Sequence, residues 1–177
     1  REIDHIGERR GARPPRHQLR AGADDKRPVR EPDEVLHTPW ERYHIDRAHA
    51  RRVADMARAL YLAGSPDADP MFAQRVEWAG LLHEIGYTVS HIGFHKHGAY
   101  ILENADMPGF SANEQLDLAL LVLGCRGGLD KITGSLGDPR FRARLLALRL
   151  AVIFHHARRP IDPPRVELKV GAKIRLA

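Results

Sequence analysis

The run QLDLALLVLG, residues 115–124, carries leucine, alanine or valine on nearly every side of a helix. A helix apolar all round is stable in water only inside a shell of other structure. This run therefore demands neighbours and is expected to be the central buried helix. Ser111 and Glu114 stand three residues apart just before it, the pattern of a reciprocal capping box at a helix N-terminus. Gly124, Gly127 and Gly128 break it at the other end.

Amphipathic segments that could form the shell lie on both sides. Asp46 is placed to cap a helix over roughly 47–63, with Val53, Met56, Ala57, Leu60 and Tyr61 on one face, ended by Gly64 and Pro66. A second helix is predicted from Pro70 to Glu84 or Ile85, with Phe72, Val76, Ala79 and Leu82 buried and Gly86 as its stop. A short third helix covers about 97–104. Asp138 and Pro139 open a long helix to about Arg158, lined by Phe141, Leu145, Leu148 and Val152. Arg142, Arg149 and Arg159 lie off that stripe, and Pro160, Pro163 and Pro164 close it. Aromatic residues make up only 6% of the chain, so aliphatic side chains must do most of the packing. Trp40 and Trp78 are expected in the core, and Asp117 on the central helix needs a partner if buried.

The ends read differently. Residues 1–38 are rich in Arg, Pro, Gly and Asp and hold few large apolar residues, too few to offset the entropy of ordering. They are expected to be a disordered or linker segment, and their acidic residues interrupt any nucleic-acid-binding arm. Residues 39–160 are the helical domain. Residues 161–177 alternate like a strand, a turn near Gly171 and a second strand. Such a hairpin is marginal alone, so it reads as the start of a truncated β-containing subdomain. The chain does not begin with Met, and a fragment, a truncated gene or a shifted reading frame is expected.

The formal charge of +5 is concentrated in residues 138–177, which hold ten basic and three acidic side chains. That excess favours a polyanionic partner, or is simply a solvated helix face. A single cysteine, Cys125, excludes a disulfide framework and suits a cytoplasmic protein. It reads as a buried, inert thiol. No apolar run is long enough to span a bilayer, so no membrane partner is expected.

Four of the eleven histidines, His83, His91, His95 and His97, fall within LLHEIGYTVSHIGFHKHGAYILENADMPGF, residues 81–110, together with Glu84 and Lys96. So many titratable side chains in one segment suit an anion or a metal better than a dry core. Two chemistries fit His91, His95, Lys96 and His97. Imidazoles and an ammonium beside a helix N-terminus can hold phosphate oxygens. The His-x3-His-x-His spacing is also compatible with zinc, although no cysteine supports it and a fourth ligand is missing. Ordinary structural hydrogen bonding is the third reading. His155 and His156 fit a helix C-terminus, where their charge would favour the dipole.

His49, followed by the adjacent pair His83–Glu84, resembles the metal site of HD phosphohydrolases, in which two histidines and two aspartates hold a cation that activates water. Here glutamate replaces the first aspartate, and Val152 falls where the apolar pattern places the second. His155, one turn on, could substitute only from a different position. The expectation is a degenerate site with no bound metal.

The whole of residues 81–110 closely resembles the C-terminal helical region of the exopolyphosphatase and guanosine pentaphosphate phosphohydrolase (Ppx/GppA) family. YHIDRAHARRVADMA, residues 43–57, and LLALRLAVIFHHAR, residues 145–158, resemble flanking helices of that region. The resemblance implies an HD-like bundle of five or six helices. It implies a C-terminal domain that helps bind polyphosphate or guanosine pentaphosphate and form a homodimer. Catalysis and magnesium would belong to N-terminal actin-like domains, with no cofactor on this chain and no catalytic residue in it. His91, His95, Lys96, His97 and Arg126 would line the anion's passage, with Arg51 and Arg52 as weaker candidates. Two alternatives stand beside this reading: an independent metal-dependent HD phosphohydrolase, and a non-catalytic dimerisation or polyanion-binding module. Nucleic acid is not expected as the partner.

Overall fold

The computed structural model describes Leu36, Tyr43, residues 45–65 and residues 67–158. The linker expected over 1–38 (apart from Leu36), the expected hairpin over 161–177, Trp40 and Arg159 lie outside the described residues. Among those described, the fold is all-helical. Five α-helices follow one another: α1 Arg47–Gly64, α2 Pro70–Leu82, α3 Phe94–Asn104, α4 Ala112–Gly124 and α5 Pro139–Phe154. Two 3-10 helices, Ile85–Thr88 and Asp130–Ser135, join α2 to α3 and α4 to α5. No helix among the described residues is long and apolar enough to cross a membrane.

The elements start where their polar residues satisfy exposed N–H groups. Asp46 accepts from His49 N at 3.0 Å, Asp69 from Met71 N at 2.8 Å and Asp138 from Arg140 N at 2.9 Å. The capping box at α4 is complete: Ser111 Oγ accepts from Glu114 N at 3.3 Å, and Glu114 Oε2 accepts from Ser111 N at 2.8 Å.

The apolar faces meet as their spacing requires. Val53, Met56, Ala57, Leu60 and Tyr61 of α1 are buried with Val76, Ala79 and Leu82 of α2 and Phe141, Leu145 and Leu148 of α5. Helix α2 packs on α1, α4 and α5, while α4 packs on α2, α3 and α5. Trp78 is fully buried, its ring edge-on to Phe110 at 4.9 Å. Asp117 has the partner its burial demands: the buried Arg144 of α5 hydrogen-bonds it, and Arg75 lies 3.8 Å away. Arg144 also stacks over Phe72 at 4.5 Å.

Three boundaries differ from the sequence reading. Helix α2 stops at Leu82, because the His83 ring turns back and donates from Nδ1 to Gly80 O at 2.7 Å. Gly86 is not the stop. It lies in the following 3-10 helix, where a Cβ would collide with the backbone of Phe94 and Gly98. Helix α3 begins at Phe94 rather than 97, entered through Gly93 at φ +69° with no side-chain cap. His95, Lys96 and His97 are therefore first-turn helical residues, not loop residues. Helix α5 ends at Phe154, and His155–Ala157 form a turn before Arg158.

Candidate functional site

Two groups of basic side chains emerge, and the sequence segment rich in histidine is divided between them. The first lies where three helix ends converge. Asp46 and His49 open α1, His83 and Glu84 follow α2, and His155 and Arg158 follow α5. His49, His83 and Glu84 are buried, and their ligand atoms lie within 4.8 Å of one another. Glu84 Oε1 is 3.6 Å from His49 Nε2 and 3.8 Å from His83 Nε2. The same oxygen accepts a hydrogen bond from Arg158 Nη2 at 2.7 Å, while Arg158 Nη1 reaches Asp46 Oδ2 at 3.3 Å.

Burial pushes His83 down to about 4. It also lowers His49, against the opposing pull of the Glu84 carboxylate. Both rings are thus held neutral at pH 7. Since His83 Nδ1 donates to Gly80 O, its Nε2 lone pair faces Glu84. Two neutral imidazoles and a carboxylate are a donor set for a zinc-class ion. Among the described residues no second carboxylate arrives from α5. Val152 is only partly buried and is not in the cluster, and the cation that reaches Glu84 is the guanidinium of Arg158.

His155 does not complete the set. It is buried and stands apart from the three clustered donors. Burial lowers its pKa, so it does not act as a cation at the helix end. Arg51 is tied to Glu77 at 3.4 Å. Arg52 belongs to this closed side, where its charge acts on His49 and His155. Cys125 is buried and its thiol is pushed up to about 12 by desolvation, so it is inert.

The second group surrounds the start of α3 and the segment after α4. Lys96 and Arg126 are exposed; His95, His97 and Lys131 are half-buried. Burial, then the charges of Lys131, Lys96, Arg126 and His97, push His95 down to about 4. The free protein thus presents His95 as a neutral hydrogen-bonding ring among cations. His95 Nε2 and Lys131 Nζ lie 3.8 and 3.6 Å from where a side chain on Gly127 would begin, so that position stays open between them. Lys131 donates to Arg126 O at 2.7 Å. Arg149 donates to Gly124 O at 2.8 Å and to Gly127 O at 3.1 Å. Arg126 stacks over the Phe94 ring at 5.6 Å. None of Lys96, Arg126, Lys131 and Arg149 has a carboxylate within 4.0 Å among the described residues.

His95, Lys96, His97 and Arg126 are thus brought together as the sequence suggests. His91 is exposed and stacks on Tyr87 at 4.7 Å, whose hydroxyl interacts with Glu84 and Arg158. It borders the first group rather than the second. Lys131, Arg149 and Arg158 were missed as site residues. Lys131 stands alone in its segment, and Arg149 reads as a solvated helix residue, so only the fold reveals where they converge.

The profile of the Ppx/GppA phosphatase family, domain III, matches residues 34–173. The chain is 37% identical over 121 residues to the guanosine-5'-triphosphate,3'-diphosphate pyrophosphatase of Pseudoalteromonas translucida, an alignment covering 64% of this chain and 24% of that protein. It is 32% identical over 143 residues to the protein of that name from Vibrio vulnificus, covering 77% of the chain and 29% of the relative. The Vibrio cholerae protein of that name is 33% identical over 132 residues, covering 72% and 27%. The matched part of the chain therefore spans only 24–29% of the length of these relatives.

Proposed function

The chain belongs to the Ppx/GppA phosphatase family, through domain III, and on that premise we propose that it is the anion-holding part of a phosphohydrolase. Its open basic group receives the phosphates of guanosine pentaphosphate or polyphosphate. The observation that carries this is the set of Lys96, Arg126, Lys131 and Arg149: Lys131 and Arg149 donate to backbone carbonyls, Lys96 and Arg126 are exposed, and none of the four has a carboxylate within 4.0 Å among the described residues. A string of phosphates supplies negative charge that the single nearby carboxylate of Asp130, beside Lys131, does not balance. Lys96 and Arg126 make direct phosphate contacts, with His95 and His97 donating hydrogen bonds beside them. Lys131 and Arg149 hold the 124–131 segment in place and add to the field. The exposed His91 would meet a longer anion further along.

The chemistry of phosphate release is assigned to the part of the relatives' length that this chain does not span. Magnesium, which neutralises phosphate oxygens in such reactions, would be held there. A homodimer and a cytoplasmic setting complete the proposal. The name shared by the relatives favours the guanosine substrate over polyphosphate.

The test is equilibrium binding of both anions to the wild-type chain and to a His95→Ala/Lys96→Ala variant, with phosphate release measured in magnesium. The variant should bind about tenfold less tightly, the scale of one lost charge-assisted hydrogen bond. The chain alone should release no phosphate. Unchanged affinity at low salt would remove the assignment of this surface.

A further inference from the structure

We propose that Tyr100 and Glu103 of α3 seat a guanine base beside the phosphate-binding group, so that this chain selects a guanine nucleotide over a bare phosphate chain. The seat rests on the reading of Lys96 and Arg126 as phosphate contacts and takes the uncharged end of the same ligand. Lys96, Tyr100 and Glu103 stand at positions i, i+4 and i+7 of one helix and therefore share a face. Tyr100 is 70% exposed. Its carbonyl accepts from Asn104 Nδ2 at 2.8 Å, while its ring and hydroxyl have no partner among the described residues. Glu103 is half-buried in the last turn and has no ion-pair partner among the described residues.

Helix stability does not explain this order of side chains. A helix favours acidic residues in its first turn and basic ones in its last. Helix α3 has the reverse: His95, Lys96 and His97 stand in a first turn without an acid, and Glu103 stands in a last turn without a base. A guanine nucleotide has its groups in the matching order. Its phosphates meet Lys96 at the start of the helix. Its base, about 6 Å further along the axis, lies flat on the Tyr100 ring, as bases do on exposed aromatic side chains. Guanine presents two adjacent donors, N1–H and the N2 amino group, which one carboxylate accepts together. Glu103, about one turn beyond Tyr100, is that acceptor. Adenine lacks this pair of donors. A polyphosphate has neither a ring to stack nor a donor for Glu103, whose charge repels it.

Equilibrium titrations with GTP, ATP and inorganic tripolyphosphate test this, because the three probes carry the same number of phosphates and differ in what is attached to them. The wild-type chain should bind GTP about tenfold more tightly than tripolyphosphate, within the range that base stacking contributes, with ATP between the two. Tyr100→Ala should bring GTP down to the level of tripolyphosphate and leave tripolyphosphate unchanged. Tyr100→Phe, which keeps the ring, should keep the preference for GTP. Glu103→Gln should bring GTP down to the level of ATP and leave ATP no weaker. A wild-type chain that holds GTP no more tightly than tripolyphosphate would overturn the guanine seat and leave the phosphate reading intact. So would a Tyr100→Ala variant that weakens all three probes alike. Tripolyphosphate that does not bind, or whose binding is untouched in Lys96→Ala/Arg126→Ala, would instead remove the phosphate reading and the seat with it.

Discussion

The two basic groups differ in what answers their charge. At the junction of α1, α2 and α5, Arg158 faces Asp46 and Glu84, and the imidazoles are buried and neutral. Around the start of α3, Lys131 and Arg149 face carbonyl oxygens, and Lys96 and Arg126 face solvent. The first group is electrically closed, and in the second no cation has a carboxylate within 4.0 Å among the described residues. A row of rings joins them: His91 on Tyr87 at 4.7 Å, Tyr87 on Phe94 at 4.4 Å, and Phe94 beside His95 at 5.7 Å. Histidine content alone therefore does not mark an anion site. What matters is whether a carboxylate of the same chain has already taken the cation.

Closure of this kind carries a large penalty when half of it is removed. The buried pair Asp117–Arg144 sets the scale: Asp117→Ala should cost about 3–5 kcal/mol of stability in urea unfolding, because Arg144 is left buried without its partner. Gly86→Ala attacks the seam between the two groups, since its Cβ collides with the start of α3. It should cost about 3 kcal/mol and weaken polyphosphate binding as well. A large loss of one property without the other would show that the groups are not joined through this turn.

Acid should strike the closed group. His83 titrates near 4 when folded, below its ordinary value of 6.5. The unfolded chain then binds more protons between those values. The stability His83 contributes is complete above 6.5 and is lost as pH falls toward 4. The total is on the order of 3 kcal/mol. Urea midpoints between pH 7 and 4 measure it, and replacing His83 with Gln should flatten that profile. At the small end, Lys96→Ala/Arg126→Ala should change stability by no more than about 0.5 kcal/mol, because both side chains are exposed.

Much of the fold was legible in the chain. The apolar stripes of α1, α2 and α5 and the capping box at Ser111 are local patterns, and local physics decides them. The start of α3 was not legible, because Gly93 enters the helix through its backbone dihedral and offers no capping side chain. Gly86 looked like a helix stop because close approach of α3 is a tertiary fact. The site was legible in part. His49, His83 and Glu84 meet as the resemblance to HD phosphohydrolases implies, and His95, Lys96, His97 and Arg126 gather on one side. The need of Asp117 for a partner could be stated from sequence, but Arg144 as that partner could not, since 27 residues separate them. Arg158, 74 residues from Glu84, is hidden for the same reason.

The salt dependence of polyphosphate affinity, compared across one variant from each group, tests the contrast most directly. In Lys96→Ala/Arg126→Ala the slope of log affinity against log salt should become shallower by about 0.7 for each contact removed, by analogy with single-stranded nucleic acid. In Arg158→Gly the slope should match that of the wild-type chain. A wild-type slope in the Lys96/Arg126 variant, with flattening in the Arg158 variant instead, would contradict the assignment of the open group as the phosphate-binding surface.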